Sequence, residues 1–220
     1  MKKVIIFGIS DFAELVFYYL NNDSRYEVTC FTLDREYIKE ESFHGLPIID
    51  FETIQNTFDP IEYEMFIAIG YTKVNKLREI KYNLAKEKGY KLLTYVSDKA
   101  TVYDNVLIGD NCFIFEDNTL QPFSKIGNNT ILWSGNHLGH HSIIGDNCFI
   151  TSHVVIAGRV YIGNNTFIGI NSTIRDNIKI GKENVIGAGS LILNDTIEYA
   201  VYSPKETEKS KVPSNRLRKI

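Results

Sequence analysis

The sequence predicts a small Rossmann-like α/β domain over residues 1–97, a parallel β-helix over residues 98–198 and a basic C-terminal tail over residues 199–220. Three observations carry this reading. The first part of the chain alternates short apolar runs with amphipathic segments, as strands and their covering helices do in a parallel α/β unit. From Val102 onward an aliphatic residue recurs at every sixth position, a period that neither an α-helix nor a two-faced sheet produces. The 220 residues are 44% hydrophobic and 23% charged with a formal net charge of −3, which describes a soluble globular chain.

In chain order, VIIFG (Val4 to Gly8) reads as a buried strand, residues from about Asp11 to Leu20 as a helix, and YEVTCFTL (Tyr26 to Leu33) as a second strand ending at Asp34. This is a βαβ start. A short LPII strand, a helix near residues 51–57, the strand EMFIAIG (Glu64 to Gly70), a long polar helix from about Lys73 to Lys88 and a strand KLLTYV continue the alternation. They imply a small parallel sheet covered by helices, with the loop around Ser97 to Ala100 joining it to the next domain. The first turn, Gly8-Ile9-Ser10-Asp11-Phe12-Ala13, lies where a nucleotide-binding α/β unit places its phosphate loop. It lacks the second and third glycines of a dinucleotide fingerprint, and Asp11 would repel a phosphate at the helix start. Two readings stand: Gly8, Ser10, Asp11 and Phe12, with Asp34, bind the nucleotide part of a substrate, or Ser10 and Asp11 cap the helix.

The six-residue period runs from Val102 through Ile108, Ile114, Leu120, Ile126, Leu132 and Leu138, and on by sixes to Ile192, sixteen aliphatic positions without an insertion. Two residues before most of them stands a small or β-branched residue, such as Cys112, Ser124, Thr130, Ser142, Cys148 and Ser172, and both positions are expected to point inward. Glycine follows the aliphatic residue at Gly109, Gly127, Gly139, Gly145, Gly163, Gly169, Gly181 and Gly187, and Asn, Asp or Gly often comes next, as corner residues free to take unusual dihedrals should. Short strands joined by tight turns around a prism give this pattern, three strands to a coil of eighteen residues. The run makes a little over five coils, roughly 25 Å tall at a strand spacing of about 4.8 Å.

Composition excludes several classes. No stretch approaches the roughly 18 apolar residues of a membrane helix, and the start MKKVIIFGISDFAELV has no small-residue cleavage site, so a cytoplasmic, unprocessed protein without membrane insertion is expected. Near-neutral charge with scattered lysines argues against nucleic-acid binding. Cys30, Cys112 and Cys148 are an odd set without metal-ligand spacing and read as reduced, buried thiols.

Four of the five histidines, His137, His140, His141 and His153, fall within seventeen residues. Residues eighteen apart stack on successive coils, so Pro122, His140 and Gly158 form one column and Asp117, Gly135, His153 and Asn171 another. An amine or hydroxyl that attacks a thioester must shed a proton, and an imidazole titrates near enough to neutrality to take it.

At these residues, and most specifically over GNHLGHHSIIGDNCFITSHVVIAGRVYIGNNTFIGINSTI (Gly135 to Ile174), the sequence resembles the hexapeptide-repeat acyltransferases. With the α/β domain in front, it resembles the nucleotide-sugar acetyltransferases of bacterial surface glycans, a group that includes the bacillosamine-pathway N-acetyltransferase and the sialic acid O-acetyltransferases. The resemblance implies a left-handed β-helix, a homotrimer, and acetyl-CoA as cosubstrate in the groove between neighbouring prisms. It further implies a nucleotide-linked sugar held by the N-terminal domain, and no metal. His140 matches the family's catalytic base, and Ala157-Gly158 matches its Ala-Gly pair, where a missing side chain lets the pantetheine arm approach and the Gly158 N–H can meet the oxyanion. Gly169, Ile170 and Asn171 match a stretch along the coenzyme, although Ile170 also reads as an interface residue.

Two departures stand out. The family's orienting Asp or Glu after the catalytic histidine is here His141, and a second histidine nine residues on is here Phe149, with His153 the nearest replacement. The candidate catalytic set is therefore His140, His141, His153 and Asn136, with the orienting group open among Asn136, His137 and Asp146. Trp133 either packs across a subunit interface or lines the sugar site; in the tail, which ends with Arg218 and Lys219, Lys205 or Arg216 either meets the coenzyme phosphates or is simply solvated. The function implied is N-acetylation of a nucleotide-linked amino deoxysugar, with O-acetylation of a sugar hydroxyl as the close alternative. Two other classes compare less well. A zinc carbonic anhydrase on the same prism would need His137, His141 and His153 as ligands at a spacing that does not match, and a non-catalytic trimeric scaffold would leave the clustered histidines unused.

Overall fold

The computed structural model describes residues 1–216; residues 217–220, with Arg218 and Lys219, lie outside the described residues. The N-terminal domain runs β1 (Lys2–Phe7), α1 (Asp11–Asn21), β2 (Tyr26–Leu33), β3 (Ser42–Phe43), β4 (Leu46–Asp50), β5 (Tyr63–Ile67), α2 (Lys76–Glu87) and β6 (Lys91–Leu92). Its strands lie in the order β3-β4-β2-β1-β5-β6. β1 is central and apolar on both faces: Val4 and Ile6 face α1, Ile5 and Phe7 face the opposite layer, and all four are buried. Two expectations are corrected. The sheet is mixed, because β3 pairs antiparallel with β4 through a turn at His44 and Gly45. Residues 51–57 form no α-helix, only turns and a single 3-10 turn over Ile54–Asn56.

The run KLLTYV is not one strand. Leu92 pairs with Met65 of β5, whereas Tyr95 and Val96 pair with Phe113 and Ile114 of the prism. The six-residue period thus reaches back one step to Val96, with Thr94 in the small inward position, and the prism begins before residue 98. At the other end Val201–Tyr202 pairs with Val185–Ile186, so the first residues of the expected tail still belong to the prism. Parallel two-residue strands build three faces of 7, 6 and 5 strands. The aliphatic positions from Ile114 to Ile192 fill the interior.

The corners obey a rule that differs from the expected one. The left-handed residue is not the glycine but the residue two places later, as at Asn111, Asn129, His141, Asn147, His153 and Asn165; Asn and His tolerate that region better than most side chains. Glycine after the aliphatic residue is required by close approach: a Cβ on Gly127 would lie 2.5 Å from Asp146 Oδ1 and 2.6 Å from its backbone N on the next coil. The inward hydroxyls satisfy backbone groups at the bends. Thr130 Oγ1 accepts from Cys148 N at 3.0 Å and donates to Gly145 O at 3.0 Å, which leaves these buried polar groups paired.

The N-terminal domain docks on the seven-stranded face, where Phe113, Ile131 and Phe149 are buried in one cluster with α1 and the sheet. At a second contact, an asparagine ladder (Asn111 to Asn129 to Asn147, each step 2.7 Å) runs up one corner, and Asn111 Oδ1 accepts Ile67 N at 2.9 Å. The three cysteines are free and buried, and burial pushes each thiol up to about 12.

Candidate functional site

His140 projects from the corner that follows the Leu138 strand, and it is exposed. Its backbone N donates to Gln121 Oε1 at 2.9 Å, which ties the corner to the preceding coil. The imidazole folds onto the next coil, so that a Cβ on Gly158 would lie 2.7 Å from Nε2 and 2.8 Å from Cε1. Glycine at 158 therefore admits the imidazole to the backbone of the next coil. Among the described residues no acceptor meets the Gly158 N–H, which remains available to a developing oxyanion. His140 Nδ1 lies 3.1 Å from His141 Nδ1, and His141 rests on Phe123 with ring centroids 4.8 Å apart.

The expected site residues divide between two corners. His140, His141, Ala157 and Gly158 share one. His153, Gly169 and Ile170 occupy the corner at the other end of the same prism face. Lys205 follows Pro204, which packs against Gly187 one coil beyond Gly169, and so belongs to this second corner; it is exposed. His153 leans the opposite way from His140: it lies over Gly135 of the preceding coil, where a Cβ would meet its Nδ1 at 2.5 Å. His137, His141 and His153 fall on a strand and on two different corners, and among the described residues no group of three metal-ligating side chains is gathered.

Other expectations are corrected. Asn136 is 2% exposed and points into the prism, where its Oδ1 accepts Val154 N at 2.8 Å and its amide donates to Trp133 O. It holds two coils together and cannot orient His140. Asp146 stands on the third corner and accepts Asn128 N at 2.7 Å. Phe12, expected at the substrate, is 8% exposed and packs against Phe66, Phe113, Trp133 and Phe149. Trp133 stacks on Phe115 at 4.9 Å and packs against the cluster shared with this chain's own N-terminal domain.

In the N-terminal domain the strand order reverses between β1 and β5, and ligands of open α/β sheets enter at the carboxyl ends of such strands. Gly8 ends β1 with φ +122°, and a Cβ there would lie 2.9 Å from Ala68 O at the end of β5. Ser10 is the N-cap residue of α1 but its side chain makes no capping bond, and it and Asp11 are exposed at the mouth of this crevice. Asp34 is different: Lys81 Nζ holds its carboxylate at 2.7 Å.

Sequence reasoning missed the other lip of the crevice. After β5, Lys73, Val74 and Asn75 all have positive φ, a strained run for a β-branched residue. Arg78 holds it. This fully buried guanidinium donates to Gly70 O at 2.7 Å, to Asn75 Oδ1 at 3.1 Å, and across the domain junction to Asn147 O and Cys148 O at 3.0 Å. Burial pulls it down to about 10, so it stays a cation at neutral pH. The signal was present: Arg78 shares the buried face of α2 with Tyr82 and Ala85, at i, i+4 and i+7.

Comparison with known proteins places both halves of the chain. Residues 3–84 match the PglD N-terminal domain, and residues 123–158 and 159–194 match the bacterial transferase hexapeptide repeats. No curated protein matches the sequence. Among solved structures, the acetyltransferase domain of PglB from Neisseria gonorrhoeae superposes with a TM-score of 0.82 at 21% identity, over 91% of this chain and 96% of that one. PerB from Caulobacter crescentus, in complex with CoA and GDP-perosamine, gives 0.80 at 21% identity over 91% and 93%. WeeI from Acinetobacter baumannii gives 0.76 at 20% over 91% and 96%. What they share with this chain is the fold, an α/β domain followed by a left-handed β-helix.

Proposed function

We propose that this chain, which joins a PglD N-terminal domain to the hexapeptide repeats of bacterial transferases, is an acetyl-CoA-dependent N-acetyltransferase acting on a nucleotide-linked amino sugar, with His140 as general base. One observation carries the reading: an exposed imidazole whose Nε2 lies against Gly158, a residue with an unclaimed N–H. Its structural neighbours agree with it, since PerB is known in complex with CoA and GDP-perosamine and the PglB domain in complex with acetyl-CoA. The fit to acetyl-CoA rests on the same corner. It offers a base and an N–H donor side by side, and acyl transfer from a thioester asks for both.

The thioester brings an activated acetyl group. His140 Nε2 accepts the proton that the sugar amine loses as its nitrogen bonds to the carbonyl carbon. The Gly158 N–H stabilises the oxygen on which charge develops. His140 then returns the proton to the departing thiolate, so that an amide and a free thiol leave and the enzyme is unchanged.

The nucleotide belongs in the crevice between Gly8 and the loop after β5, where Ser10 and the N-terminus of α1 offer donors and Lys73 adds a cation. The enzyme proposed is a homotrimer. It would bring the His140 corner of one prism beside the His153, Gly169, Ile170 and Lys205 corner of the next, under that subunit's crevice. The reading includes a cytoplasmic enzyme of glycan biosynthesis; among the described residues no helix is long and apolar enough to cross a membrane. The test is thiol release from acetyl-CoA with a panel of nucleotide-linked amino deoxysugars. Turnover with one of them, lost in His140→Ala with folding intact, supports the proposal. Turnover with hydroxyl acceptors alone would move the reaction to O-acetylation, and full activity in the variant would remove His140 as the base.

A further inference from the structure

We infer that His141 is the positioning residue of His140: it accepts the Nδ1–H of His140 and so keeps Nε2 bare for the substrate proton. The inference rests on the reading of His140 as base, and it replaces the carboxylate that the resembling family places at this position. Two imidazole nitrogens 3.1 Å apart cannot both carry a proton, nor can both be bare without repulsion, so one N–H lies between them. Were His141 the donor, His140 would hold its own proton on Nε2 and could take none from an amine. The productive tautomer has His140 donating.

His141 is itself fixed. Its φ is 59°, its backbone N donates to Pro122 O at 3.2 Å, and its ring rests on Phe123 while standing nearly perpendicular to His140, at 87°. The other candidates stand elsewhere, Asn136 inside the prism, His137 on the strand that precedes the corner with no hydrogen bond to His140 among the described residues, and Asp146 at another corner. Charged groups on the neighbouring coils of this corner are Arg159, next in the His141 column, with Arg175, Asp176 and Asp104 two coils away. When Nε2 takes the substrate proton, the positive charge is shared across the Nδ1 hydrogen bond. When Nε2 gives that proton to the thiolate, the pair returns to its starting state with no net gain or loss.

Steady-state kinetics and pH profiles of His141→Phe and His141→Glu, beside His140→Ala, test this. Phenylalanine keeps an aromatic ring on Phe123 without an acceptor, and the left-handed position tolerates it, since Phe123 occupies the equivalent place one coil earlier at φ 66°. The expected result is a folded His141→Phe protein with unchanged KM and kcat lowered tenfold or more. His141→Glu should recover most of that loss and move the acid limb of kcat/KM upward by about one pH unit, because a carboxylate favours the imidazolium. Wild-type kcat and pH profile in His141→Phe would overturn the inference. If His140→Ala is inactive at the same time, the base reading survives; if His140→Ala is active, both fall.

Discussion

Replacing Gly158 by alanine separates the chemistry of the site from its folding. The new Cβ would lie 2.7 Å from His140 Nε2, and ordinary contact begins at 3.4 Å, so the imidazole must retreat by at least 0.7 Å. It can do so, because His140 is an exposed side chain. Gly158 is not among the residues with positive φ, so alanine fits the backbone and should leave stability unchanged or raise it by about 0.4–1 kcal/mol through the unfolded chain. Displacing a reacting group by about 1 Å costs roughly a hundredfold. We therefore expect kcat to fall about 10- to 100-fold, equivalent to about 1.4–2.7 kcal/mol in the barrier. KM for the sugar should hold, and the melting temperature should be equal or higher. Thiol-release kinetics and thermal unfolding on the same preparation make the comparison. A G158A protein with wild-type kcat would refute the idea that the position of the His140 imidazole limits the reaction; lost activity accompanied by lost stability would show that the glycine serves the backbone instead.

Further predictions concern the junction between the domains. Burial opposes ionisation of Glu116, but hydrogen bonds from Ser134 (2.5 Å) and Tyr19 (2.8 Å) hold its carboxyl below the ordinary value. Its contribution is therefore present above the unfolded-state value of 4.5 and is lost as pH falls through the lower folded-state value. Glu116→Gln should cost about 1 kcal/mol at neutral pH and flatten the stability curve at acid pH, as urea titrations between pH 3 and 7 would read; parallel curves for the two proteins would count against it. Arg78→Met strands several buried carbonyls and should destabilise by about 1–3 kcal/mol for each one left without a donor. It should also weaken nucleotide-sugar binding more than acetyl-CoA binding, which calorimetry of each ligand would check, and equal losses for both would contradict the link to the crevice.

The prism was legible because its information is local and repeated. Each coil restates which residue faces inward, and a single misplaced side chain would break the period. What the period did not reveal is the reason for its glycines, since close approach of coils and positive φ favour the same residue type, and only coordinates tell them apart. Asn136 shows a related limit: it sits two residues before Leu138 and therefore faces inward, a placement the period already contained but that its neighbourhood to the histidines obscured. Phe12 and Trp133 were misplaced for another reason. Both belong to the docking of α1 on the seven-stranded face, a contact between segments more than a hundred residues apart that leaves no local pattern. The split of KLLTYV has the same origin, since either domain accepts those apolar residues and only the pairing of Tyr95 with Phe113 assigns them.

The proposed reaction makes one bond, between an acetyl carbon and a sugar nitrogen. Two-dimensional NMR of the product formed from acetyl-CoA and the accepted nucleotide sugar identifies that bond directly. An acetamido group on the former amine carbon, absent from reactions with His140→Ala, is the predicted result. An acetyl ester on a ring hydroxyl, or the same amide at wild-type rate without His140, would contradict the account.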